Sequence, residues 1–247
     1  MEVIAVVNQK GGSGKSSTST IIAKSIADSG KKVVIVDTDP QGGISSLSLP
    51  RIENRAKRKG IYDILVGEDP EINVHAIQTV HFSLGDRLYI IPADHRLDMI
   101  YSTVSPFILK QCLEEFAIQN FDVVVIDTPP TVQGITRSAI LFANKVLVPC
   151  DISQQAFDPT EYTIETILSL DKKPNVVYVG WQEPDPKSEG LDDRNGRLFK
   201  KAFNKYVIGN IPKNKTNISF ANEDKNITEN LRNVLLSNAI SIVKQAS

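Results

Sequence analysis

The chain has 247 residues, of which 41% are hydrophobic and 23% charged; these ordinary proportions exclude disordered, collagen-like and coiled-coil classes. Its 28 basic and 29 acidic residues leave a formal charge of −1, so nucleic-acid binding would require a local basic patch. Two cysteines are too few for a disulfide framework, which fits a reducing cytoplasm. No apolar run approaches about 18 residues, so no membrane span is expected. We therefore expect one cytoplasmic domain over residues 1–247.

Seven short runs rich in β-branched residues alternate with helical patterns along the chain. We predict strands at residues 3–7, 33–36, 88–91, 123–126, 146–148, 176–179 and 207–211. Their nearly continuous apolarity is typical of parallel strands that are covered on both faces. Helices are predicted at residues 16–29, 106–119, 135–143, 159–170 and about 227–245. The alternation predicts an α/β fold: a doubly wound, mostly parallel sheet flanked by helices on both faces.

A glycine-rich segment lies between the first predicted strand and the first predicted helix. Its glycines allow backbone N–H groups to approach phosphate oxygens, and the helix N-terminus that follows favours anions. Lys15 can reach β- and γ-phosphates, and the Ser16 hydroxyl can bind Mg²⁺. A turn without a ligand would explain the glycines but not the flanking strand and helix. We therefore predict a nucleotide-binding loop formed by Lys10, Gly11, Gly12, Ser13, Gly14, Lys15, Ser16 and Ser17.

Carboxylates follow two of the predicted strands. Asp37 and Asp39 come after residues 33–36, and Asp127 comes after residues 123–126. Ligands of open α/β sheets bind at the carboxyl ends of the strands, so these side chains are expected to face the nucleotide crevice. An apolar strand that ends in aspartate is the Walker B arrangement, in which Asp127 holds Mg²⁺ through water.

The loop departs from the ordinary phosphate-loop pattern, because Gln9 stands where that pattern has glycine and Lys10 precedes the glycine pair. Together with D-T-D-P-Q from Asp37 and F-D-V-V-V-I-D-T-P-P from Phe121, the segment K-G-G-S-G-K-S resembles the deviant Walker A ATPases. That group contains the ParA/Soj partition ATPases, MinD and, more distantly, the nitrogenase iron protein. The resemblance covers nearly the whole chain and weakens at residues 172–205.

The resemblance implies P-loop ATPase chemistry that depends on ATP and Mg²⁺. It makes Lys10, Lys15 and Asp39 the catalytic residues: Lys10 reaches phosphates bound by the opposite subunit of a homodimer, and Asp39 positions the attacking water. It places Ser16, Asp37 and Asp127 around the metal and packs adenine near Pro212. No N-K-x-D guanine motif is present, which favours ATP over GTP.

The choice among the relatives depends on features that this sequence does not contain. The loop begins at Lys10, so we expect a short ParA/Soj form without an N-terminal helix-turn-helix domain. The last helix has few basic residues for a MinD-like membrane surface, and residues 128–134 contain no cysteine of the iron-protein type. A metabolic ligase of the dethiobiotin synthetase type is disfavoured by Lys10 and the D-T-D-P-Q segment.

A basic segment follows the acidic loop 182–193. The ParA/Soj resemblance implies that an ATP-bound homodimer binds double-stranded DNA without sequence preference on the nucleoid, and that a ParB-like partner stimulates slow hydrolysis. Arg197, Lys200 and Lys201 have helical spacing and could share a face, although a solvated basic helix would look the same. Residues 51–59 form a weaker basic candidate, and positioning of cargo other than DNA stays open. The predicted DNA-binding residues are Arg194, Arg197, Lys200, Lys201 and Lys205.

Overall fold

A mostly parallel sheet organises the computed structural model, which describes residues 1–49, 59–67, 78–79, 87–180, 194–211 and 229–246. The strand order is β3-β4-β2-β5-β1-β6-β7-β8, and every neighbouring pair is parallel except β3 and β4. The strands are β1 (Glu2–Val6), β2 (Val33–Asp37), β3 (Gln78–Thr79), β4 (Leu88–Ile91), β5 (Val123–Asp127), β6 (Lys145–Cys150), β7 (Pro174–Val179) and β8 (Val207–Ile211).

All seven strands predicted from the apolar runs are present. The central strands β2 and β5 are buried at every position, as expected for parallel strands that are covered on both faces. Each of them extends one residue further than predicted and ends in an aspartate, Asp37 or Asp127, and these two residues lie opposite each other in the β2–β5 pairing. The sheet therefore brings two carboxylates together at the carboxyl ends of adjacent strands.

Helices cover both faces of this sheet, which confirms the predicted doubly wound architecture. The helices are α1 (Lys15–Asp28), α2 (Gly43–Ser48), α3 (Ile61–Val66), α4 (Ile108–Asn120), α5 (Ile135–Phe142), α6 (Gln154–Ser169), α7 (Arg194–Phe203) and α8 (Glu229–Gln245). Ile4 and Val6 of β1 contribute to a core with α1 and α8, whereas Val3 and Ala5 contribute to a core with α4, α5, α6 and α7. Within the described residues, no helix is both long and apolar enough to span a bilayer.

The start of α6 differs from the sequence prediction. Proline favours the first turn of a helix, which predicts a start at residue 159. The helix instead begins at Gln154 and continues through Pro159, with Ser153 in an extended conformation immediately before it. The carbonyl oxygen of Pro159 accepts a hydrogen bond from Thr163 Oγ1 at 2.7 Å. The earlier start places Ser153 beside the glycine-rich loop, where its hydroxyl oxygen accepts a hydrogen bond from Lys10 Nζ.

Candidate nucleotide site

The glycine-rich loop connects β1 to α1, as its sequence predicts. Gly12 and Gly14 have φ angles of 74° and 91°, a region that residues with a side chain rarely adopt. A Cβ atom on Gly14 would also lie 3.1 Å from Val179 Cγ1 at the end of β7. Because α1 begins at Lys15, its N-terminal backbone N–H groups follow the loop directly. This geometry is the arrangement that binds phosphate at a helix N-terminus.

Hydrogen bonds made by Asn8 and Gln9 anchor the start of the loop. Asn8 is fully buried, and its amide donates to the carbonyl oxygen of Pro149 at 2.9 Å while its Oδ1 accepts from the backbone N–H of Lys10 at 2.9 Å. The backbone N–H of Gln9 donates to Thr163 Oγ1 of α6 at 3.2 Å. The loop is therefore tied to β6 and α6 before its first glycine, which fixes the position of the residues that follow.

The two lysines of the loop occupy different environments. Lys15 is 6% exposed, and its Nζ donates to the carbonyl oxygen of Lys10 at 3.2 Å. Burial lowers the pKa of the Lys15 ammonium, and the nearby charges of Asp127 and Asp39 oppose that effect. Lys15 is thus an interior cation close to both carboxylates, which is the position required of a phosphate-binding lysine.

Lys10 makes an ion pair with a residue that the sequence analysis did not select. Its Nζ lies 2.7 and 2.8 Å from the two carboxylate oxygens of Asp151, which follows β6, and 3.0 Å from Ser153 Oγ. The Lys10 side chain remains 19% exposed. The contact between Lys10 and Asp151 spans 141 residues of sequence, so no local pattern could have indicated it.

The Walker B carboxylate, Asp127, contacts two serines of α1. Ser16 Oγ donates to Asp127 Oδ2 at 2.8 Å, and Ser19 Oγ donates to Asp127 Oδ1 at 2.9 Å. Asp127 is fully buried, and burial together with the neighbouring Asp37 raises its pKa. The predicted proximity of Ser16 and Asp127 is present, whereas Ser19 lies beyond the recognised motif and was not predicted.

Asp37 and Asp39 are held by short-range contacts after β2. The backbone N–H and the hydroxyl of Ser45 donate to Asp37 Oδ2 at 2.9 and 2.6 Å, and burial raises the pKa of Asp37. Asp39 is partly buried, and its Oδ1 accepts from the backbone N–H of Gln41 at 3.0 Å. Asp37 is therefore fixed in the interior beside Asp127, while Asp39 lies closer to solvent.

The oxygen atoms of Ser16, Asp37 and Asp127 form a donor set that fits a hard divalent cation. Magnesium prefers one or two carboxylates together with water and phosphate oxygens, rather than a cage of protein ligands alone. Ser16 and the adjacent carboxylates Asp37 and Asp127 fit that preference, because two buried aspartates side by side are stabilised by a positive charge. Among the described residues no group of three His, Cys, Asp or Glu side chains forms a separate metal site.

Helix α7 carries four of the five predicted basic residues, and Lys205 lies in the 3-10 turn that follows it. The ring of Phe199 on α7 contacts that of Tyr178 on β7. The inner face of α7 contains Gly196, Phe199 and Phe203, which are buried. Most of the basic residues are exposed, but Lys200 is only partly exposed, so it lies at the edge of the basic surface rather than at its centre. We call the exposed set Arg194, Arg197, Lys201 and Lys205 the α7 basic surface.

Some predicted positions lie outside the described residues. They are the adenine-side residue Pro212 and most of the second basic segment, residues 51–58. The predicted roles of these residues therefore stay predictions.

The fold and the loop define a P-loop nucleoside triphosphatase with a deviant Walker A segment. A family model described as an AAA domain matches residues 1–177. The sporulation initiation inhibitor protein Soj of Bacillus subtilis is 32% identical over 179 residues, which cover 70% of this chain and 68% of that protein. The chain therefore belongs to the ParA/Soj-type ATPases of this AAA-domain family, which confirms the resemblance seen in the sequence.

Two further proteins are similar to the chain. The maintenance of carboxysome distribution protein A of Synechococcus elongatus is 26% identical over 175 residues, which cover 69% of this chain and 66% of that protein. The solved structure of a putative plasmid partition protein of Borrelia burgdorferi, bound to AMPPNP, superposes on this chain with a TM-score of 0.73 at 20% identity. The match covers 99% of this chain and 97% of the Borrelia chain. The chain thus falls among ParA-like partition and positioning ATPases.

Proposed function

We propose that the chain is an ATP-dependent switch for DNA segregation, in which Mg-ATP closes two copies into a dimer that binds DNA and hydrolysis reopens it. The observation that carries this proposal is the separation of the two loop lysines. Lys15 points into the interior toward Asp127 and Asp39, whereas the ammonium of Lys10 is held at a partly exposed position by Asp151. A lysine at that position would serve phosphates bound by a second copy once its ion pair with Asp151 is exchanged for a phosphate contact.

The residues of one copy would share the chemistry as follows. The loop backbone and Lys15 would bind the phosphates, while Ser16, Asp37 and Asp127 would hold Mg²⁺. When bound, the ion would supply positive charge that offsets the charge of the phosphates. Asp39 orients the attacking water, and Lys10 of the other copy stabilises the charge that develops on the transferred group. Because one lysine comes from the second copy, hydrolysis is slow until the dimer and its partner protein align these groups.

DNA binding would use the α7 basic surface of both copies. Arg194, Arg197 and Lys201 recur at helical spacing on an exposed face, and a dimer doubles the number of phosphate contacts. Such contacts carry no sequence information and weaken steeply with salt. We therefore propose binding to double-stranded DNA without sequence preference, association with the nucleoid, and stimulation of hydrolysis by a ParB-like protein.

The decisive experiment measures retention of DNA with ATP, with ADP and without nucleotide, over a series of salt concentrations. We expect strong retention with ATP only and a steep loss as salt increases. Equal retention in all three states would overturn the switch. Neighbouring reading frames give an independent test, because a ParB-like or centromere-binding protein is expected to be encoded beside this chain.

A second candidate function is the positioning of cargo other than DNA. It is favoured by the similarity to the carboxysome distribution protein. A membrane-surface role of the MinD type has less support, because Ala239 and Ile242 of α8 are buried in the core with α1 rather than exposed. Sedimentation with liposomes and ATP would detect membrane binding directly. Recovery of a non-DNA cargo with the ATP-bound dimer would favour the positioning of such cargo over DNA segregation.

A further inference from the structure

The carboxylate of Asp127 is held from both sides by one helix. Ser16 and Ser19 lie three residues apart on α1, so their side chains point to the same face of the helix. Each hydroxyl donates to a different oxygen of Asp127, at 2.8 and 2.9 Å respectively. The rotation of the carboxylate about its terminal bond is therefore fixed by two donors rather than one.

The two serines have different surroundings. Ser16 is partly exposed at the mouth of the site and is the residue that the phosphate-loop motif assigns to the metal. Ser19 is fully buried, and its hydroxyl donates a hydrogen bond to Asp127. Ser19 is therefore shielded from solvent, and the hydrogen bond to Asp127 is the direct route by which its hydroxyl can influence the metal site.

The environment of Asp127 makes this second donor necessary. Asp127 is fully buried and lies beside Asp37, which disfavours its charged form. A buried carboxylate oxygen without a donor costs free energy and leaves the group free to rotate away from the metal position. The Ser16 hydroxyl would have to serve a metal ion as well as Asp127, whereas the Ser19 hydroxyl donates to the carboxylate from the buried side.

We propose that Ser19 is a positioning residue for the magnesium site, which orients Asp127 through Oδ1 so that Oδ2 faces Ser16 and the metal. The inference rests on the proposed function, because it concerns the magnesium site assigned there. The phosphate-loop motif gives no role to this position, which lies beyond its final hydroxyl residue. Loss of an outer partner of a direct metal ligand typically weakens metal binding about 10- to 100-fold, and because Asp127 is expected to hold the ion through water, we take the lower end of that range as the expected change.

The test is a magnesium titration of the binding of a fluorescent ATP analogue, with Ser19→Ala compared with the wild-type chain. We expect half-maximal binding at a magnesium concentration about tenfold higher or more, with unchanged affinity for the nucleotide in EDTA. Ser19→Cys, which retains a weak donor of similar size, should give an intermediate shift. A purely structural role of the hydroxyl would change both titrations together.

The matched control is Ser25→Ala. Ser25 is also buried on α1, but its hydroxyl donates to the carbonyl oxygen of Ile21 at 2.6 Å rather than to a carboxylate. This variant should keep the wild-type magnesium dependence. Identical magnesium dependence of Ser19→Ala and Ser25→Ala would overturn the proposal. If Ser19→Ala does not fold, the proposal is overturned when the magnesium titration of Ser19→Cys matches that of the wild-type chain. If the wild-type chain binds nucleotide without magnesium dependence, the proposed magnesium site itself is wrong.

Discussion

Lys10 and Asp151 form an ion pair between the glycine-rich loop and the segment that follows β6, with Nζ 2.7 Å from Oδ1 and 2.8 Å from Oδ2. The backbone N–H of Lys10 is held in turn by Asn8. In the single chain, therefore, both the backbone and the side chain of Lys10 are fixed before any second copy arrives. If Lys10 serves the partner's phosphates, the ion pair must be exchanged for a phosphate contact when the dimer forms.

The first prediction concerns this exchange. Asp151→Asn should lower the ATP concentration needed for dimer formation, because it removes the charge that competes for Lys10. The two side chains are 19% and 30% exposed, and a partly exposed ion pair of this kind contributes about 1 kcal/mol, or about fivefold in an equilibrium constant. Sedimentation velocity over an ATP titration measures the shift, with Lys10→Ala as the variant that should not dimerise. A requirement for more ATP would instead mean that Asp151 supports Lys10 within the dimer.

The second prediction separates the two lysines. Lys15→Ala should weaken binding of a fluorescent ATP analogue by about 3 kcal/mol, or roughly 100-fold, because a charged hydrogen bond to phosphate is lost in a buried site. Lys10→Ala should bind the analogue normally yet remain monomeric by sedimentation. Normal dimerisation of Lys10→Ala would refute its role in the second subunit.

The third prediction concerns Asp39. Asp39→Ala should bind ATP and dimerise but release almost no phosphate, since the carboxylate orients water and is less buried than Asp37. Phosphate release and sedimentation are measured on the same samples. Asp158→Ala, which removes an exposed carboxylate on α6, is the control and should hydrolyse ATP normally. An Asp39→Ala chain that stays monomeric in saturating ATP would contradict the dimer model.

The fourth prediction concerns the α7 basic surface. Arg197→Glu combined with Lys201→Glu should abolish retention of DNA in ATP, and single changes should each reduce the slope of affinity against salt by about one. Nucleotide binding should be unaffected, because Arg197 and Lys201 are exposed on α7 and are not among the residues predicted to bind the nucleotide. Lys31→Glu combined with Lys110→Glu makes the same change in net charge at exposed sites elsewhere. Equal losses in both double variants would show that only overall charge matters.

The fifth prediction concerns the end of the loop after Asp127. Gly134 has a φ angle of 52°, and a Cβ atom there would collide with the carbonyl oxygen of Tyr101 and with Ser102. Gly134→Ala should therefore reduce the free energy of unfolding by roughly 1–3 kcal/mol, which lowers Tm by about 2–4 °C per kcal/mol for a chain of this size. Gly30→Ala, with positive φ but open space, isolates the contribution of φ alone. Equal melting temperatures of Gly134→Ala and Gly30→Ala would argue against the collision.

Sequence patterns predicted the elements whose signal lies in residues that are consecutive in the chain. The seven parallel strands were predicted because continuous apolar runs mark buried strands, and the phosphate loop because its glycines and lysine are contiguous. The edge strand Gln78–Thr79 was missed, since two polar residues in antiparallel pairing carry no such pattern. The short helices α2 and α3 were missed for a similar reason, as six residues are too few to show periodicity.

The residues that hold the functional side chains were not predicted. Asp151 contacts Lys10 from a position 141 residues away, and Ser19 contacts Asp127 across 108 residues. Such pairings depend on the order in which strands β5, β1 and β6 lie in the sheet, which the local sequence does not encode. Ser45, which donates to Asp37, lies closer in sequence, but only the turn after β2 brings it to the carboxylate.

The pairing of Asp37 with Asp127 also bears on how long the protein survives in a cell. Two buried carboxylates on adjacent strands repel each other, and a bound cation and nucleotide would relieve that repulsion in the native state only. Proteases act on transiently opened chains, so their rate follows the equilibrium between the open and the native forms. We therefore expect copies deprived of nucleotide to be degraded first, which would tie the cellular abundance of the protein to the energy state of its host.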